Sequence, residues 1–467
     1  MFERAKTLLL LLLVLGSVTQ FAFLVLSAHE PLYTLPPREI RTASELPLQA
    51  PELLAAPVRM IANFTTPGRH ALLRSNSGYF HNIWVFAKSA LTAGGPFLSS
   101  QIVPVSAQLW NPALPSLELI LNHPLPLWIY LDLLGIPVVI DEENGEAHFR
   151  SLVVDRFYLP AAAEGDSRVL FSDGLGGIYA LPRGVRRDVL QAFLEISEEG
   201  VATIQPVDLA SFGLEAAHVI YNPGAAQVSS WAVSPVFTPE SFALRAPGAF
   251  RDLALMRHFE DELEAVIFED GERRLSLSSG LLLLEQARGG LHQGGTYRSL
   301  WQEAAGFLRR SGLMPEDNYS FFFDGFSSIA NREVVFFQQA HWGRPVFIRE
   351  DGVSGYRMVS TLRASGRNSE LVTLRYRPLR FTNIIRTVTA YPLEQLLARL
   401  ATIAPELPGL AGTLPLVRDI YEGFLFAPSG ELVSQPVWVI EFVHGYRYFF
   451  DMITGTFQGY LPPVGER

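Results

Sequence analysis

From Thr7 to Ala28 the chain runs TLLLLLLVLGSVTQFAFLVLSA without a charged residue. A helix needs about 20 consecutive apolar residues to cross a bilayer, so this stretch constrains topology before anything else does. Arg4 and Lys6 precede it, and basic residues stay on the cytoplasmic side. The expectation is a cytoplasmic tip and transmembrane anchor over residues 1–28, with the rest of the chain extracytoplasmic. A cleaved signal peptide would have an apolar stretch of only about 7–15 residues. Val25 and Ser27 also make a mediocre cleavage site, so a retained anchor is expected. The apolar run LPLWIYLDLLGIPVVI is broken by Asp132, Gly135 and Pro137, which leaves a single span.

The whole chain of 467 residues is too long for one compact core and suits two to four domains. With 48% apolar and 18% charged residues, the chain can bury sizeable cores. Its formal net charge is −10, and the clustered Lys and Arg that a phosphate-binding surface needs are not seen, which argues against nucleic acid. An acidic exterior is equally ill suited to lying flat on an anionic membrane. Cysteine is absent, which removes disulfides, thiolate metal sites, a Cys nucleophile and a lipid-bearing Cys.

Residues 29–57 hold Pro31, Pro36, Pro37, Pro47, Pro51 and Pro57, the composition of an extended spacer. An N-terminal α+β domain is expected over 58–248. It contains a helix in SGYFHNIWVFAKSAL, with Phe80, Ile83, Trp84, Ala87 and Leu91 on one face and Gly94 as its stop. LELIL and FRSLVVDRFYLP read as strands, and PLPLWIYLDLLG and RRDVLQAFLEIS as helices. VSPVFTPESFALRAPGAF marks a boundary near Pro247.

The second half repeats itself. In a first unit (249–384), Ser299 with Gln302 reads as a capping box, and Leu300, Trp301, Ala304, Phe307 and Leu308 form a helical face stopped by Gly312. YSFFFDGF and the hairpin VVFFQQAHWGRPVFI follow. In a second unit (385–467), Pro392 opens a helix whose face is Leu393, Leu396, Leu397 and Leu400. IYEGFLF and the hairpin VWVIEFVHGYRYFFD follow. FDGF matches YEGF, and a strand ending in His before a Gly turn occurs in both, so that Asp324 corresponds to Glu422 and His341 to His444. The period is too long for a solenoid and indicates two helix-plus-antiparallel-sheet domains.

Nothing in the sequence has the spacing of an active site, and neither a catalytic nor a cofactor-binding residue is expected. His341 and His444 lack the two-His helical spacing and third ligand of a metal site. Glu260, Asp261, Glu262 and Glu264 lack the alternating oxygens of a calcium loop and read as a solvated helix face. DGLGG at Asp173–Gly177 lacks the Lys-Ser/Thr of a phosphate cradle and reads as a loop. Asn63 and Asn318 sit in accidental glycosylation patterns. Within the anchor, Gly16, Ser17, Thr19 and Gln20 can pack closely and hydrogen-bond across helices, where leucine cannot tell a neighbour from lipid; they are the candidate contacts with a partner helix.

Several stretches, in this order, resemble one known family: ERAKTLLLLLLVLGSVTQFAFLVLS, LELILNHPLPLWIYLDLLG, FRSLVVDRFYLP, HFEDELEAVIFEDGERRLSLSSGLLLLEQ and the repeated C-terminal half. The chain is similar to the YycH family, membrane-anchored accessory proteins of the YycFG (WalRK) two-component system of Gram-positive bacteria. The resemblance implies an N-terminal α+β domain followed by two YycI-like domains. It implies a non-enzymatic regulator without cofactor. The expected partners are a sensor histidine kinase of YycG (WalK) type and a YycI-like protein, acting in cell-wall homeostasis. VWVIEFVHGYRYFFDMITG also looks PepSY-like, which leaves a second reading: an extracytoplasmic binding or inhibitory module acting on an envelope hydrolase or protease.

Overall fold

Apolar residues spaced three and four apart lay down the helices of the N-terminal half. Helix α1 (Gly78–Thr92) buries Phe80, Ile83, Trp84, Ala87 and Leu91, the face read from the sequence. It is followed by α2 (Leu127–Leu133), α3 (Glu143–Ser151) and α4 (Arg187–Glu198). The computed structural model describes residues 56–464 apart from short internal stretches, the longest being 287–296 and 314–319. The expected anchor and nearly all of the Pro-rich spacer lie outside the described residues. Among the described residues no helix is long and apolar enough to cross a membrane.

These helices accompany an antiparallel sheet. Its central strands are β1 (Arg59–Asn63), β2 (His70–Arg74), β3 (Ser116–Pro126), β4 (Val153–Pro160), β5 (Arg168–Ser172) and β6 (Ile178–Gly184). They lie in the order β2-β1-β3-β4-β5-β6, extended at the edges by short strands. FRSLVVDRFYLP does not form one strand. Phe149–Ser151 closes α3, because Phe149 and Leu152 both reach the core, and the strand starts only at Val153.

The C-terminal sheet takes a short strand at Glu215–Ala216, parallel to the chain at Leu416–Val417, and its first long strand is β7 (Gln227–Pro235), before the boundary expected near Pro247. Helix α5 (Pro239–Arg245) follows, capped by Thr238. Next come β8 (Arg257–Glu260), β9 (Val266–Glu269), β10 (Arg273–Ser278) and β11 (Leu281–Gln286), a meander of antiparallel neighbours. Glu260 therefore ends a strand, not a helix face; Asp261, Glu262 and Glu264 lie outside the described residues. Helix α6 (Tyr297–Arg310) already includes Ser299, so the expected capping box falls inside the helix instead of at its start.

After α6 come β12 (Ser320–Ile329), β13 (Arg332–His341), β14 (Arg344–Gly352), β15 (Gly355–Val359), β16 (Leu362–Arg367), β17 (Glu370–Tyr376) and β18 (Leu379–Thr389). Helix α7 (Leu393–Ile403) then leads to β19 (Leu416–Phe426), β20 (Val433–Phe442), β21 (Arg447–Asp451) and β22 (Phe457–Leu461). The order of one helix and four antiparallel strands occurs twice: α6 with β12-β13-β16-β17, and α7 with β19-β20-β21-β22. The first has β14 and β15 inserted. Strand β14 leaves β13 after three pairs and runs parallel to β19, tying the two sets together. The second expected boundary, between residues 384 and 385, falls inside β18.

Two apolar cores are the largest among the described residues. One runs continuously from Met60 in β1 to Tyr376 in β17 and includes Trp301 of α6 against Phe337, with ring centroids 4.1 Å apart. The other seats Leu393, Leu396, Leu397 and Leu400 of α7 on Trp438, Ile440 and Phe450. Fully burying each such side chain contributes about 1.5–3 kcal/mol.

Candidate functional site

Between the two sheets lies a cluster of charged side chains removed from solvent. Strand β3 makes it possible. Its pairing with β4 is regular to Ile120↔Arg156 and resumes at Leu125↔Val154, so Leu121–Pro124 bulge out of the ladder opposite Asp155. Pro124 cannot donate to a ladder, and the freed carbonyls of Leu121 and Asn122 turn to two arginines. Arg418 of β19 donates to Leu121 O at 2.9 Å, to Glu441 Oε1 at 2.6 Å and to the Asp155 carboxylate. Arg447 of β21 donates to Asn122 O and to Asp324 Oδ1, each at 2.6 Å, and its Nε lies 3.1 Å from Glu441 Oε2. Asn122 Nδ2 donates to Asp324, and Ser360 Oγ does so at 2.9 Å. Glu441 thus bridges two guanidiniums while Asn122 joins the sheets.

The cluster continues along the interface. Arg156 donates to Arg418 O at 3.2 Å and lies 3.7 Å from Glu118. Arg59 donates to Asp419 Oδ2 at 2.7 Å and stacks 3.7 Å above the Tyr421 ring. Glu422 binds Arg74 at 3.0 Å and Arg344 more closely.

Electrostatics follow from this geometry. Burial pushes Asp155 upward, but Arg418, the His218 hydrogen bond and Arg156 override it and hold the carboxyl far below the ordinary range. Burial lowers Arg418 and Arg447, yet their paired carboxylates win and both are raised. Glu118 is raised, because burial outweighs Arg156. Burial lowers His218, which donates or accepts at 3.0 Å from Ser172 Oγ. Every carboxylate named here faces an arginine or an amide, so the arrangement clamps the sheets in one register. Removing one partner from a buried pair leaves an uncompensated charge and costs about 3–5 kcal/mol.

A second feature is exposed. The β13–β14 hairpin turns through Trp342 (φ 52) and Gly343 (φ 69), the backbone of a type I′ turn, which favours Asn and Gly. Left-handed backbone costs a non-glycine residue about 1–2 kcal/mol, and strain of that kind gathers at functional surfaces. The indole is 57% exposed, 5.6 Å from the Trp231 ring. Trp231 stands opposite Ile384 of β18, itself 53% exposed. His341 is stacked beneath, 3.9 Å from Phe381 and 4.8 Å from Trp231. Burial, helped by Arg344, pushes its imidazole down to about 4.

The residues read from the sequence are distributed as follows. Gly16, Ser17, Thr19 and Gln20 lie outside the described residues, as does Asn318. Asp324 and Glu422 both enter the buried ion pairs. His341 and His444 do not share surroundings: His444 is exposed in the β20–β21 turn, against Phe442 and Tyr446. DGLGG forms the β5–β6 turn, with Asp173 Oδ1 accepting from Leu175 N and Gly177 N at 2.8 Å. Asn63 is buried on Ser116 and Glu118. Asp155, Arg418, Glu441 and Arg447 carry no motif that marks them in the sequence. The available signal was a charge inside a strand apolar on both faces, as in VVDRFYLP, VWVIEF and YRYFF.

No protein-family model matches the chain, and no curated protein matches it. Among solved structures, YycH from Bacillus subtilis is similar over 90% of this chain and 98% of its own, with a TM-score of 0.54 and 12% identity. An uncharacterized protein from Eubacterium rectale matches 52% of this chain and 85% of its own, with a TM-score of 0.32 and 12% identity. The Bacillus megaterium YpeB C-terminal domain matches 48% and 96%, with a TM-score of 0.28 and 10% identity. At that coverage the first of these carries the conclusion: this mixed α+β chain has a YycH-like fold.

Proposed function

We propose that the chain is a non-enzymatic, membrane-anchored extracytoplasmic regulator of YycH type. In this reading it associates with a sensor histidine kinase of YycG (WalK) type and a YycI-like protein, and adjusts kinase output in cell-wall homeostasis. The observation that supports it most is the YycH-like fold along 98% of that structure's length. The uncharged stretch from Thr7 to Ala28 supplies the anchor, retained with its N-terminus cytoplasmic. Coupling to the kinase runs through Gly16, Ser17, Thr19 and Gln20, by close packing and interhelical hydrogen bonds worth about 1 kcal/mol each.

Photocrosslinking in native membranes, with the captured protein identified, tests this. Capture of a histidine kinase, weakened by Gln20→Leu, is the expected result. Capture of an envelope hydrolase without a kinase would favour the PepSY-like reading. Undiminished kinase capture by a scrambled-leucine anchor would move the coupling to the outer domains.

A further inference from the structure

Strand β18 is eleven residues long and, among the described residues, pairs only with β7. From Thr382 to Thr387 it is exposed on both faces, so one edge of its backbone faces outward. At its start the Leu379 backbone is taken by the Gln339 side chain, so the unsheltered edge is the stretch from Thr382 to Thr387, which is a template for another strand. Beside it stands the strained Trp342 with Trp231 and Ile384, and tryptophan and arginine are the residues that anchor protein interfaces. Neither β7 nor β18 carries a carboxylate, while β18 presents Arg380 and Arg386, both exposed, in a chain of net charge −10.

We propose that this edge takes an extended, acidic segment of a partner protein as an added strand, its alternate side chains gripped by Trp342 and Ile384. The proposal rests on the reading of the chain as a regulator that works by protein contact, and names a surface for it. Charge decides the occupant. A second copy pairing antiparallel about Asn383 would set Arg380 of one copy against Arg386 of the other, and like charges directly opposite are destabilising. An acidic strand meets both arginines favourably and is disfavoured elsewhere on an acidic surface.

The test titrates the full chain, in nanodiscs, with a labelled peptide of about ten residues alternating Glu and Val, and with its Lys–Val counterpart. The Glu–Val peptide is expected to bind saturably and more weakly as salt rises. Arg380→Glu with Arg386→Glu should weaken it about tenfold or more. Trp342→Asn supplies the separate readout: asparagine suits the turn, so the melting temperature should hold or rise while peptide affinity falls. Absence of peptide binding, equal binding of both peptides, or self-association through β18 would each overturn the proposal, as would a lowered melting temperature for Trp342→Asn. Peptide failure with kinase crosslinking intact sinks the edge alone. Lost crosslinking with peptide binding intact sinks the kinase and leaves the edge standing.

Discussion

Arg447 meets Asp324 at 2.6 Å across 123 residues of sequence, and neither side chain is exposed to solvent. Such a pair is a poor source of net stability but a demanding constraint on register, because neither charge can be removed without unbalancing the buried network it shares with Glu441. Asp324→Leu should cost about 3–5 kcal/mol in urea unfolding. Asp324→Leu combined with Arg447→Met should recover much of that loss. A double variant no better than the worse single one would show that the pair does more than neutralise itself.

Asp155 predicts acid sensitivity of definite sign. Its folded carboxyl is held far below the ordinary range, whereas the unfolded residue takes up a proton near pH ~3.9. The stability it provides is complete above that value and is lost as pH falls below it. Asp155→Asn should therefore be markedly less stable at neutral pH, and the gap from wild type should narrow below pH ~4. Urea unfolding across that range measures the gap; a constant difference would contradict the assignment.

His341 acts in a higher window. Its imidazole is pushed down to about 4, so the unfolded chain, titrating near ~6.5, binds the proton first as pH falls. Stability from this group is complete above about 6.5 and is lost toward about 4. His341→Phe retains the stack on Phe381 and should flatten the loss between those values. Thermal melts at several pH values will show whether it does.

Two matched glycines should respond differently. Gly325 has φ 131, and a Cβ there would stand 2.6 Å from Val464 Cγ2 and 3.1 Å from His123. Gly423 has ordinary backbone, with Phe347, Pro345 O and Val439 each 3.2 Å from its Cβ position. Gly325→Ala should cost about 2–4 kcal/mol, combining backbone strain with overpacking, and Gly423→Ala about 1 kcal/mol from packing alone. A reversed ranking in thermal melts would mean that the bulge at Asp324 relaxes.

The helix faces were legible because their apolar spacing is local: Leu393, Leu396, Leu397 and Leu400 needed no knowledge of their partners to be read as one face. The hairpins were legible for the same reason. The charge junction was not, because a strand residue such as Arg418 looks solvent-facing until Asp155 arrives from 263 positions away. Trp342 is hidden for another reason: HWGR reads as a turn through Gly343, and nothing local shows that Trp342 shares its left-handed backbone. Glu260 ends a hairpin strand and not a helix face, and a run of carboxylates has no period that separates the two. The place of β7 has no local sign in the sequence, because its partners come from much later in the chain.

That placement of β7 governs the order of events at the ribosome. Ser229 bonds Thr387, 158 residues later, and Trp231 N donates to Ser434 Oγ, 203 residues later. At about 5–20 residues per second, β7 waits roughly ten to forty seconds for its neighbours. Throughout that interval a nascent strand carrying Val228, Trp231 and Val233 is left without its proper mates, open to chaperones and to misassociation. The C-terminal sheet is not completed outward from a finished N-terminal piece; it closes on a strand laid down long before, and synthesis must nearly end before it can.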